Sequence, residues 1–189
     1  MNPASILVCR DARAVHWQLG PLPPPRGRFT LIAWKDGAAG DGGVPAAITG
    51  VLARSWTSIA RVTFLSSAGG ARDGTIVSTR DAAAAARVFD DAAFPWWLQG
   101  QAAVLSDPDA APPAVDKPSL LALFEEDWAV RAAAIEPRGV RGVARPGVDG
   151  DVAGLLALTD EFDARLLESL EREARVAGVG WTVVPETAL

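Results

Sequence analysis

The chain carries one imidazole, His16, and one thiol, Cys9. Nucleophilic catalysis of the dyad or triad kind needs a base beside the nucleophile, and histidine is the usual base. His16 and Cys9 are therefore the catalytic candidates. They sit in Ser5–Cys9 and Ala14–Leu19, which read as two short strands. If these strands form a hairpin, a loop of two or four residues puts both side chains on one face. A three-residue loop over Asp11–Arg13 puts them on opposite faces. The intervening Asp-Ala-Arg has no two-residue turn signal. The expectation is a small buried thiol and a strand histidine with a local hydrogen bond, not a catalytic pair.

The same scarcity bears on metals. Zinc takes several nitrogen and sulfur ligands, and one histidine with one cysteine cannot supply them. Asp149 and Asp151 stand in a glycine-rich turn, with Asp160, Glu161 and Asp163 further on, but the rest of a calcium-binding loop is missing. Helix capping explains Asp149 and Asp151 better. No metal and no cofactor is expected. The loop after Trp34, "KDGAAGDGG", has the strand–loop–helix setting of a phosphate cradle. It lacks the glycine spacing and the lysine of such loops, and Asp36 and Asp41 would repel a phosphate. "PLPPPR" holds a P-x-x-P-x-R pattern and reads as a stiff connector.

Seven tryptophans, six phenylalanines and no tyrosine make an unusual aromatic set. Trp96 and Trp97 follow Pro95 directly. Neighbours in an extended segment point opposite ways, so either one enters the core while the other borders a pocket or partner surface, or both are buried as a plug at the end of the helix. Trp34 and Trp56 fall at element ends and join them as candidate binding residues.

The charge is uneven. Residues 1–87 hold ten basic and five acidic side chains, whereas residues 88–189 hold eight and eighteen. An acidic C-terminal part attracts basic partners, and the clustered acids of its long helix, Asp160, Glu161 and Asp163, are the candidate contact. Scattered basic residues without interleaved aromatics argue against nucleic acid. No apolar run is long enough for a membrane span. A single cysteine, no leader-like N-terminus and arginine-rich, alanine-rich usage fit a bacterial cytoplasmic protein.

The elements that must position these residues read as follows. Residues 1–28 form an N-terminal hairpin and a proline-rich connector. Phe29–Trp34 is a buried strand, Val44–Trp56 a helix, Ser58–Ser67 and Thr75–Arg80 strands. Asp81 caps an alanine-rich helix, and Gln101–Ser106 is a strand. That order over 29–106 predicts a ferredoxin-like unit built on split βαβ connections. Residues 107–118 read as a linker. Residues 119–189 form a helix–strand–helix–strand unit, its long helix running from about Asp151 to Ala177 on a stripe of Leu155, Leu158, Phe162, Leu166, Leu170 and Ala174. Thr159 could restart that helix after a kink, and Gly178 ends it. The fold class is α+β, with helices on one face of a largely antiparallel sheet.

The functional expectation is a binding or accessory protein, immunity-like, acting through an acidic, tryptophan-bearing surface on a protein partner. The alternative is a cofactor-independent enzyme or binder of a small apolar ligand, with an aromatic-lined pocket in a ferredoxin-like α+β barrel.

Overall fold

Short runs of consecutive apolar and β-branched residues make strands buried on both faces. The computed structural model describes residues 4–10, 29–35, 46–66, 74–90, 101–111, 136–146 and 152–185. In it such runs form β1 (Ser5–Arg10), β2 (Phe29–Lys35), β3 (Arg61–Ser66), β4 (Gly74–Thr79) and β5 (Gln101–Ser106). β6 (Val140–Pro146), β7 (Val152–Ala157) and β8 (Gly180–Val183) complete the set. Helices α1 (Ala46–Ile59), α2 (Ala82–Asp90) and α3 (Asp160–Val176) connect β2 to β3, β4 to β5 and β7 to β8.

Among the described residues the strands form one sheet in the order β4-β3-β5-β6-β7-β2-β1-β8. Each neighbouring pair is antiparallel except β1 with β8. The α+β class and the largely antiparallel sheet are as the sequence predicts.

Alternation along the strands sorts the side chains onto two faces. Ile6 and Val8, Ile32, Val62 and Phe64, Leu105 and Leu155 join residues of all three helices in one core. On the other face Cys9, Thr63, Val104, Val143 and Leu156 are buried as well. Trp56 anchors the helix side, wholly buried, with its ring edge-on to Phe89 at 5.5 Å, while Phe89 meets Phe64 at 5.3 Å.

Three expectations need correction. A ferredoxin-like unit would set β2 between β4 and β5. Instead β5 takes β3 on one side and β6 on the other, and β2 lies beyond β7. β4 and β5 do flank β3, joined by α2, which is a βαβ connection split by an antiparallel strand.

The long helix does not start near Asp151. Residues 152–157, "VAGLLA", are β7, and the helix begins at Asp160 with Thr159 as its cap. A short apolar run fits a buried strand and a buried helix turn equally well by periodicity. Leu155 and Leu156 are both buried because they face opposite sides of the sheet.

Finally, α1 runs through Ser58 to Ile59, past the expected end at Trp56. Thr57 and Ser58 donate back to the carbonyls of Ala53 (2.7 Å) and Ser55 (2.8 Å), which satisfies their hydroxyls within the helix.

Three ladders, β2 with β7, β5 with β6 and β1 with β8, join residues before 107 to residues after 118. The sheet therefore continues across the expected linker. The expected strand at Ala14–Leu19 and the helix after Pro118 lie outside the described residues.

Candidate functional site

β5 and β7 run the same way and finish at one end of the sheet, where β6 begins. Open sheets leave a crevice at the ends of their strands, and here α3 starts beside it. Thr159 sets that start. Its backbone is extended, at φ −134 and ψ 152, and its hydroxyl accepts from the Phe162 N–H at 3.2 Å. Asp160, Glu161 and Asp163 fill the first turn, where negative charge complements the helix dipole.

Long-range contacts then fix the rest of α3. Phe162, Leu166, Leu170 and Ala174 enter the core. Arg54 donates from Nε to Glu173 Oε2 at 3.0 Å, and Ser58 Oγ meets Ser169 Oγ at 2.9 Å, so α1 and α3 are pinned together.

The result is a cleft of about 400 Å³. Its charged lining is Asp107, Glu136, Glu161, Arg141 and Arg165, and Ile59, Pro108 and Phe162 supply apolar wall beside the cap residue Thr159. Arg141 is locked. Its Nε donates to Asp107 Oδ1 at 2.7 Å and its Nη2 to Oδ2 at 2.6 Å, the two-pronged geometry of guanidinium on carboxylate. Glu136 approaches its Nη1 at 3.9 Å. The hydrogen bond to Asp107 raises the Arg141 pKa above its ordinary value. Burial opposes that, and the charges of Asp107, Glu136 and Glu161 add to it. Asp107 is itself held through its backbone, its N–H donating to the Gly139 carbonyl at 2.8 Å.

Glu161 and Arg165 are different. Neither forms an ion pair among the described residues, although their spacing would allow one on the helix surface. The sequence spaces Glu161–Arg165, Glu168–Arg172 and Glu171–Arg175 four apart along α3, and of these Glu171–Arg175 forms, at 2.9 Å. Arg172 instead donates to Ser169 at 3.0 Å and Glu173 at 3.4 Å. The cleft thus has three carboxylates facing two guanidiniums, and one of each is engaged in the Asp107–Arg141 clamp.

The residues singled out in the sequence are spread widely. Cys9 is 1% exposed, and its Sγ lies 3.6 Å from the Arg10 carbonyl oxygen. A thiol so buried is a packing group and not an accessible nucleophile. His16, Trp96 and Trp97 lie outside the described residues, as does the side chain of Trp34, whose backbone pairs with Ile6 in the β1–β2 ladder. Trp56, expected at a binding surface, is core.

Asp160 and Glu161 are exposed on the first turn of α3, and Glu161 lines the cleft. Asp163 points inward. Its side chain is 4% exposed and accepts from Arg10 Nη2 at 2.6 Å, so it belongs to the junction of α3 with β1 and not to an acidic surface.

Sequence reasoning missed Asp107, Glu136, Arg141 and Arg165. The available signal was Arg141 itself, a charged residue within the strand "VRGVARP". Among the described residues, no group of three or more His, Cys, Asp or Glu side chains is placed to hold a metal ion. No described helix is long and apolar enough to cross a membrane.

Comparison with protein-family models, with curated proteins and with solved structures gave no match.

Proposed function

We propose that the chain acts by binding, and that the cleft at the start of α3 receives a basic group of a partner protein. One observation carries this reading. The cleft sets three carboxylates against two guanidiniums: Arg141 is taken by Asp107 with Glu136 at the edge of that pair, and among the described residues neither Glu161 nor Arg165 forms an ion pair, which leaves the lining one negative charge in excess. An arriving guanidinium or ammonium would find carboxylate acceptors over the apolar face of Phe162. Asp160, exposed on the same turn, extends the negative rim.

An immunity-like or accessory role in the bacterial cytoplasm fits such a surface, in line with the single cysteine and the acidic C-terminal part. The alternative, an apolar aromatic-lined pocket of a ferredoxin-like α+β barrel, needs room between sheet and helices. In the described part that space is filled by Trp56, Phe64 and Phe89, which weighs against it.

Calorimetric titration with a short arginine–glycine peptide, and with its glutamate–glycine counterpart as control, tests the proposal. The arginine peptide should bind, more weakly as salt rises. Glu161→Gln should weaken it about tenfold, the scale of one charge-assisted hydrogen bond. Equal binding of the glutamate peptide, or unchanged binding by Glu161→Gln, would refute the reading.

A further inference from the structure

Glu161 and Arg165 stand one turn apart on α3, and both line the cleft. A glutamate and an arginine at that spacing pair along a helix surface, as Glu171 and Arg175 do at 2.9 Å. Glu161 and Arg165 do not, although both are exposed and neither has another ion-pair partner among the described residues. The charge of Glu161 acts instead on Arg141, so its carboxylate is within electrostatic reach of the β6 wall of the cleft. Arg141 cannot replace Arg165 as a donor to a ligand, because Asp107 holds it at two points, at 2.7 and 2.6 Å.

The cleft therefore offers a ligand one unengaged carboxylate and one unengaged guanidinium, beside the apolar surface of Ile59, Pro108 and Phe162. A ligand with only a positive charge satisfies Glu161 and is repelled by Arg165. A ligand with a cation and an anion a few bonds apart meets both. In a protein, that combination occurs where a chain ends in a basic residue, whose side chain is cationic and whose α-carboxylate is anionic.

We infer that the cleft recognises a C-terminal arginine of the partner protein, with its guanidinium on Glu161 and its α-carboxylate on Arg165. This rests on the basic-partner reading above and narrows it from any basic group to a chain end. The planar fork of Arg165 matches the two oxygens of a carboxylate. The arriving guanidinium presents donors along two edges, so Glu161 takes one edge and leaves the other to Glu136, while the methylenes lie on the apolar wall. A space of about 400 Å³ suits one such residue.

The test is calorimetric titration with N-acetylated Gly-Gly-Gly-Arg, as the free acid and as the C-terminal amide. The acid should bind about tenfold more tightly, the scale of one charge-assisted hydrogen bond. Arg165→Gln should bind acid and amide alike, with unchanged circular dichroism, whereas Glu161→Gln should weaken both and keep the preference for the acid. Equal binding of acid and amide by the parent protein overturns the chain-end assignment and leaves the basic-partner reading standing, since both peptides carry the arginine. Binding of neither overturns both. A preference for the acid that survives in Arg165→Gln overturns the role of Arg165. Free arginine binding more tightly than the acid peptide would make the ligand an amino acid and not a chain end. Should Arg165→Gln fail to fold, the comparison of acid with amide on the parent protein decides alone.

Discussion

Thr30 is 1% exposed on β2, opposite Arg10 and Leu155, and among the described residues its hydroxyl meets no hydrogen-bond partner. An unsatisfied buried hydroxyl destabilises a fold, and valine has the same shape without it. Thr30→Val should raise stability by about 1 kcal/mol, seen as a higher Tm. A lower Tm would mean that the hydroxyl is hydrogen-bonded after all. At this scale the sequence was informative about chemistry that is missing and uninformative about contacts. A solitary thiol between Val8 and Arg10 on a strand was readable as a packing group. The Asp107–Arg141 clamp was not, because its partners are 34 positions apart, and Arg10 and Asp163 are 153 apart. No local pattern encodes such pairs, so Asp163 reads in the sequence as one of the clustered acids of the long helix, whereas in the fold Arg10 of β1 holds it.

Two glycines test how the elements around α3 are built. Gly178 ends the helix at φ +68 with nothing within 4 Å of where a Cβ would stand. Its N–H donates to Arg175 O at 3.2 Å, and the Val179 N–H donates to Ala174 O at 2.9 Å, the paired closure of a Schellman motif. Gly178→Ala should cost about 1 kcal/mol through backbone strain alone, and Gly178→Asn less, by urea unfolding. Equal stability of the alanine variant and the parent would show that the backbone relaxes there. Gly142 on β6 is a packing glycine. A Cβ would come within 3.0 Å of both Leu156 O and Phe162 Cε1. Gly142→Ala should therefore cost about 1–3 kcal/mol by pushing α3 off the sheet, and a smaller loss in the same assay would mean that Phe162 can swing aside. The C-cap was legible because glycine after a lysine- or arginine-bearing last turn is a local signal. The start of α3 was only half legible, since β7 hides inside a run of apolar residues that also suits a helix.

For the whole molecule, the sheet matters more than the chain order. Ladders joining β2 to β7, β5 to β6 and β1 to β8 tie the first part of the sequence to the last. Urea unfolding should accordingly show one transition, coincident by tryptophan fluorescence and circular dichroism, where two independent units would give two. Strand existence was readable from short apolar runs, but strand order was not, because pairing between distant strands leaves no periodic trace. The cleft shares that origin, as Ile59, Asp107, Arg141 and Glu161 come from four separate stretches of chain. The most direct test of its role is a ¹H–¹⁵N map of the protein with the arginine–glycine peptide bound. The account predicts shifts that cluster on Asp107, Glu136, Arg141, Glu161 and Phe162 and that need about tenfold more peptide in Glu161→Gln. Shifts confined to another surface, or unchanged in that variant, would contradict it.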